Sequence, residues 1–175
     1  MSERLTEKPS PDEYAPYYSK YIDLIHGDVM GTLASQIEKS LATLRAVSDS
    51  DSLNRYAPGK WSLREVVGHM IDAERIFAYR ALRFARDDRT ELPGFEQDDY
   101  VASAGCDSRR WADLLFEFEI LRRSNLLMFA GFEPDAWLRR GKASGNVMSA
   151  RGAAYTIAGH ELHHMLIVRD RYLPG

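Results

Sequence analysis

Three histidines lie close together near the carboxyl end of the chain, in the segment His160-Glu161-Leu162-His163-His164, and a fourth, His69, lies much earlier. Side chains three or four residues apart share one face of a helix. Two imidazoles held one turn apart can therefore bind the same metal ion. Whether a third histidine joins them depends on the helices that carry these residues.

Apolar residues recur at steps of three and four almost throughout the chain, which predicts an all-α fold without a convincing strand. We predict a short helix within residues 14–25 and a first long helix that carries an apolar stripe from Met30 to Leu44. The other predicted helices span residues 63–86, 109–130 and 149–172, the last ending before Pro174 and Gly175. Four amphipathic helices indicate a four-helix bundle, which we take as one domain over residues 1–175.

The segments between the predicted helices include one clear helix start and two long connections. Ser62 and Glu65 match a capping box at the start of the second long helix, directly after the Pro58-Gly59 break. Residues 87–108 and 131–148 form connections that are long for a bundle, and the first of them could cover a site.

Helical projection places histidines on two inward stripes. At 100° per residue, His160 and His164 fall among apolar residues of the last helix, and His69 falls on the apolar face of the second. A buried imidazole needs partners for its nitrogens, and a metal ion supplies one. This pattern predicts a metal site formed by His69, His160 and His164. His163 lies on the shoulder of its helix, although spacing alone would also permit a His160 and His163 pair.

Four other residues have side chains capable of chemistry. Asp72 could orient a ligating imidazole or be solvated. Arg80, on the same stripe as His69, could pair with a buried acid, extend to the end of the bundle, or bind a substrate anion. Cys106 has no evident base to activate it as a nucleophile. His26 has no partner at ligand spacing and is interpreted as structural.

The segment from His160 to His164 also matches H-E-x-x-H, the signature of zinc proteases, with Glu161 as the general base. The extended form of that motif requires a glycine and a further histidine at fixed offsets. Those offsets hold Ile167 and Asp170 in this chain. The protease interpretation is therefore the less favoured one.

Composition narrows the class of protein further. The chain has 175 residues, 45% of them hydrophobic and 28% charged, and a net charge of −3. Without a basic tract, we expect no nucleic-acid partner. No apolar run is long enough to span a bilayer, and residues 1–14 are too polar for a secretory signal. With a single cysteine, these features favour a cytoplasmic protein without membrane association.

Longer segments carry a resemblance to a known family. The stretch Tyr56-Ala57-Pro58-Gly59-Lys60-Trp61-Ser62 and its continuation Gly68-His69-Met70-Ile71-Asp72-Ala73-Glu74-Arg75 resemble the DinB-like superfamily. The segment Leu92-Pro93-Gly94-Phe95 and the ending from Ser149 to His164 are similar to the same family, so that the likeness spans nearly the whole chain.

This resemblance implies an up-down-down-up four-helix bundle that is often a homodimer. It also implies one divalent metal ion, commonly zinc or nickel, bound by one histidine of the second helix and two of the last. Carried onto this sequence, the ligands are His69, His160 and His164, and His163 matches an extra histidine beside them. Relatives include metal-dependent thiol transferases and hydrolases.

Three histidine ligands leave at least one coordination position open, which is typical of catalytic sites. Zinc in such a site lowers the pKa of bound water to about 7. We therefore expect water or a low-molecular-weight thiol to attack a small electrophile, which makes the protein a hydrolase or a thiol S-transferase. A non-catalytic metal-binding or stress-response interaction module is the alternative, and it predicts a closed metal sphere or no cavity beside the ion.

Overall fold

Six α-helices and one β-hairpin form the structure, a computed structural model that describes residues 7–173. The elements are α1 Ser19–Ile22, α2 Val29–Arg45, α3 Leu63–Ala85, α4 Gln97–Ala104, α5 Trp111–Ala130, α6 Ala150–Ile167, β1 Arg140–Ala143 and β2 Asn146–Ser149. The four long helices match those predicted, and a π-helical turn extends the last one through Tyr172. The predicted stop at Pro174 and Gly175 lies outside the described residues.

Hydrogen bonds between helix ends show the direction of each long helix. The start of α5 lies against the end of α2, so these helices are antiparallel, whereas the starts of α3 and α5 lie together, so these are parallel. The end of α6 lies against the start of α3, which makes that pair antiparallel. The donors and acceptors are Trp111 Nε1 to Leu44 O, Arg64 Nη1 to Arg109 O, and Tyr172 Oη to Trp61 O. The bundle is therefore up-down-down-up, as the resemblance implies.

Side-chain caps fix where the helices begin. Ser62 accepts a hydrogen bond from the Glu65 backbone N–H while the Glu65 carboxylate accepts one from the Ser62 N–H, which confirms the predicted capping box. Asp28 and Ser149 cap α2 and α6 in the same way through their side-chain oxygens. These caps set the register of α3 and α6, the helices that carry the histidines.

A layer of polar side chains separates two apolar clusters inside the bundle. One cluster holds the second half of α3 and the first half of α6, and the other holds the first half of α3 and the start of α5. Between them lie Glu74, Arg122 and Glu161, each at most 3% exposed. Charged groups this deep require partners, and their position places them beside the histidines.

The second long connection contains a hairpin, which the sequence interpretation missed. β1 and β2 pair as antiparallel strands of four residues each. Ser144 and Gly145 form the turn at positive φ, 53° and 77°, the backbone that a two-residue hairpin turn of right-handed twist requires. Four residues are too few to show a period of two against the surrounding loop.

No helix in the described part of the chain is both long enough and apolar enough to cross a membrane.

Candidate metal centre

Three imidazole nitrogens converge between α3 and α6. His160 Nε2 lies 3.0 Å from His69 Nε2 and 3.1 Å from His164 Nε2. The potential ligand atoms of the three residues all lie within 4.8 Å of one another. Zinc binds imidazole nitrogen at about 2.0–2.1 Å, which sets two nitrogens of a tetrahedral site about 3.3 Å apart. The three side chains therefore fit around a single divalent ion.

Helix geometry brings these residues together. His160 and His164 are one turn apart on α6, and α3 runs antiparallel to α6 with His69 at the same level. Gly159 lets α1 approach α6 at this level, because a Cβ there would lie only 2.0 Å from Tyr21 O. The close contact between α1 and α6 therefore lies directly beside His160, a predicted ligand.

Hydrogen bonds among the imidazoles alone cannot pair all three converging nitrogens. A neutral Nε2 carries either one proton or one lone pair. His160 Nε2 faces two other Nε2 atoms at 3.0 and 3.1 Å, and a single proton or lone pair makes only one well-directed bond. A cation at the centre would instead accept a lone pair from each ring, which is the chemistry that this set of donors fits.

Burial keeps the three rings neutral. It lowers the pKa of His69 from 6.5 to about 4, partly opposed by the negative charge of Asp98, and lowers the pKa of His164 to about 3. The pKa of His160 is lowered well below 6.5 by burial and by repulsion from its histidine neighbours. Neutral imidazoles are the form that binds metal.

Aromatic rings surround the imidazoles. The Trp61 ring lies 4.9 Å from the His69 ring, and the Tyr21 ring lies 5.2 Å from the His160 ring, both measured between centroids. Tyr21 also contacts the half-buried His163, whose ring lies 5.3 Å away. His163 is therefore next to the cluster of converging nitrogens but outside it, in agreement with its shoulder position.

A cavity of about 340 Å³ opens beside His164. Its lining includes Trp61, just before the start of α3, and Tyr172, just beyond the end of α6. Asp98 lines it from α4. The first long connection thus contributes to the site, as its length suggested. The sequence analysis did not identify Asp98, because an acidic residue on a short exposed helix has no distinguishing spacing. Only the length of the connection indicated that this segment contributes to a site.

Glu161 does not face the three nitrogens. Its Oε2 accepts a hydrogen bond from Arg122 Nη2 at 2.6 Å, and its Oε1 accepts one from Ser40 Oγ at 2.6 Å. Both carboxylate oxygens are therefore committed to a buried network. The H-E-x-x-H protease interpretation requires this carboxylate to activate water on the metal, so that interpretation is wrong.

The other candidate residues lie apart from the cluster. Asp72 lies 3.9 Å from Arg75, and burial raises its pKa. Cys106 is buried, which raises the pKa of its thiol and argues against a nucleophile. His26 is exposed. Arg80 is buried further along α3, about 16 Å of helix rise from His69.

Comparisons with known proteins agree with this architecture. The family model of the DinB superfamily matches residues 32–168. The fold is similar to that of YfiT from Bacillus subtilis, described as a probable metal-dependent hydrolase with an unusual four-helix bundle topology. The TM-score is 0.68 at 15% sequence identity, over 94% of this chain and 90% of that chain, so this likeness establishes the fold. No match was found among curated proteins.

Proposed function

Because the chain belongs to the DinB superfamily, we propose that it is a divalent-metal-dependent enzyme whose ligands are His69, His160 and His164. The observation that carries this proposal is the convergence of three neutral Nε2 atoms, two pairs of them 3.0 and 3.1 Å apart. We expect zinc or nickel as the ion, since both accept imidazole nitrogen.

An incomplete set of protein ligands supports catalysis over a structural role. Within residues 7–173, the group of histidine, cysteine and carboxylate side chains able to share this ion has three members. A structural zinc site uses four protein ligands, whereas a catalytic one keeps a position open. The cavity beside His164 would give a small molecule access to that position. A non-catalytic metal-binding module is therefore the weaker hypothesis.

A divalent ion held here would act as a Lewis acid and would favour deprotonation of water or of a thiol near neutral pH. Asp98 lines the same cavity as His164 and its charge acts on His69, and we assign its carboxylate the role of accepting a proton from the nucleophile. Lys60 also lines the cavity and would bind an anionic part of a substrate, and the Trp61 ring would pack against an apolar part. We propose hydrolysis of a small electrophile as the reaction.

We favour water over a thiol as the nucleophile for two reasons. Water is the weaker acid and gains more from a base such as Asp98. In addition, the structurally similar YfiT is described as a probable metal-dependent hydrolase. Transfer of a low-molecular-weight thiol, which the resemblance also implies, is the competing reaction at the same site.

Metal analysis tests the ligand set. We expect purified protein to hold about one equivalent of divalent metal, and His69→Ala, His160→Ala and His164→Ala each to lose most of it. His163→Ala is the matched control, since His163 adjoins His164 but lies outside the cluster. Loss of metal in His163→Ala with retention in His164→Ala would refute the ligand set.

An activity screen then tests the reaction. The metal-loaded protein would be assayed with small esters, amides and epoxides, each with and without a panel of thiols. Metal-dependent turnover without thiol supports hydrolysis, whereas turnover only with thiol refutes it in favour of transfer. Cobalt can replace the native ion as a spectroscopic probe of its ligands. A spectrum that shows four protein ligands and no exchangeable position in the fully loaded protein would refute catalysis altogether.

A further inference from the structure

Arg80 is a buried arginine that the metal centre does not use. Its side chain leaves α3 about 16 Å along the helix from His69, and the residue is 2% exposed. Arg80 Nη2 donates to Pro93 O at 3.1 Å and to Ser144 Oγ at 3.0 Å, and the guanidinium carbon lies 5.2 Å from the centre of the Phe77 ring. All of these partners are electrically neutral.

The two other buried arginines of the described chain show what Arg80 lacks. Arg122 forms ion pairs with Glu74 and Glu161, and Arg64 forms one with Asp49 at 2.8 Å. Within residues 7–173 no carboxylate lies within 4.0 Å of the Arg80 guanidinium. A buried cation without a counterion carries a large desolvation cost, so its charge is available to an anionic ligand.

Arg80 lines a cavity of about 280 Å³. Its walls are mainly apolar or aromatic, and the lining includes Ile76, Tyr79, Leu92, Phe95 and Tyr100. Two charged residues also line it, Arg75 and Arg80, but Arg75 forms an ion pair with Glu117 at 2.5 Å. Arg80 is therefore the charged group of the lining without a counterion, and one such group in a mainly apolar cavity is typical of a site that orients a small molecule. The volume suits a single ring or a short chain.

Backbone hydrogen bonds hold the cavity wall in place. Leu92 N donates to Lys142 O at 2.9 Å and Ser144 N donates to Leu92 O at 3.0 Å, so the Leu92 segment is attached to the hairpin. Gly94 lies against the turn, since a Cβ at Gly94 would be 3.1 Å from Ser144 Oγ. The hairpin therefore positions both neutral acceptors of Arg80 and leaves Nε and Nη1 without an acceptor among the described residues.

We propose that this cavity, distinct from the metal centre, binds a small organic carboxylate with an apolar body. The planar guanidinium matches a carboxylate through two parallel hydrogen bonds, and Phe95 and Tyr100 contact the apolar part of the ligand. The proposal does not depend on metal binding, so either can fail while the other stands.

Titration of the metal-loaded protein with benzoate tests the proposal, with amide NMR shifts as the readout. We expect saturable binding with the largest shifts at Gly94 and Tyr100, and at least about tenfold weaker binding of benzamide, which has the same shape without the charge. Arg80→Met should weaken benzoate binding by at least about tenfold. Arg86→Met, which removes an exposed charge at the end of the same helix and outside the cavity lining, should bind as the wild type does.

Ile76→Trp keeps Arg80 but fills the cavity, so it decides the question if Arg80→Met does not fold. Loss of benzoate binding in Ile76→Trp supports the proposal. Unchanged affinity in either Arg80→Met or Ile76→Trp overturns it. Absence of saturable binding to the wild type, or shifts centred on His69 and His164 that indicate coordination to the metal, also overturns it.

Discussion

Arg122 and Glu161 form a buried ion pair, with Arg122 Nη2 2.6 Å from Glu161 Oε2, and Glu161 directly follows His160. The same guanidinium contacts both carboxylate oxygens of Glu74 at 2.8 Å and donates to Leu33 O at 3.1 Å. One arginine on α5 thereby connects α2, α3 and α6. This network fixes the rotation of α6 and with it the direction in which His160 points.

Replacement of Arg122 by methionine should be among the most damaging single changes in the bundle. It leaves Glu74 and Glu161 buried without a counterion, and breaking a buried ion pair in this way costs about 3–5 kcal/mol. Urea unfolding measures the effect. Arg123→Met is the control, because the adjacent Arg123 pairs with Glu119 on the surface and should change stability little. Equal unfolding midpoints for the two variants would contradict the structural role of the network.

The metal-free protein should lose stability as the pH falls from about 6.5 towards 4. The folded pKa of His69 is about 4, below the ordinary 6.5, so the unfolded chain binds protons first and stability declines across that interval. A shift of this size corresponds to about 3 kcal/mol for His69 alone. Urea unfolding at a series of pH values measures the slope, which should be shallower in His69→Gln.

His26→Gln is the control for that experiment, since His26 is exposed and distant in sequence from the cluster. Its slope should equal that of the wild type. If His69→Gln and His26→Gln give the same dependence on pH, His69 does not titrate as a buried group.

Much of the fold and the convergence of His69, His160 and His164 could be predicted from local patterns. The apolar stripe of α2, the Ser62 cap and the four-residue step from His160 to His164 are each encoded within a few residues, so periodicity reveals them. The direction of each helix is not local, and it came from the resemblance. Asp98 was missed because its role arises only when distant segments pack together. The hairpin was missed because strands of four residues are too short to show a period of two.

The Arg122 network could be predicted from the sequence only in part. Arg122 follows the inward Phe118 by four residues, so helical projection could have placed it on the core stripe of α5. Its partners could not be predicted, because Glu74 and Glu161 are brought to it by other helices. The sequence therefore signals that a charge is buried, whereas the packing determines what neutralises it.

Gly68 should not tolerate a side chain while Cys106 is present. A Cβ at Gly68 would lie 2.3 Å from Cys106 Sγ, so Gly68→Ala forces the loop before α5 away from α3. Overpacking of this kind costs about 1–3 kcal/mol. Cys106→Ala removes the sulfur, so the double variant should be more stable than the sum of the two single changes predicts. Strict additivity in urea unfolding would show that the two positions are not in contact.

Asp98→Asn tests the proposed proton acceptor once the screen has identified a substrate. The amide keeps the size of the side chain but cannot take a proton, so the hydrolytic kcat should fall by about 100-fold or more while metal content stays at the wild-type level. Asp99→Asn is the matched control, because Asp99 is the next residue of α4 and is absent from the cavity lining. If Asp98→Asn is as active as Asp99→Asn, another group accepts the proton. If turnover falls only together with metal content, Asp98 acts on the metal centre itself.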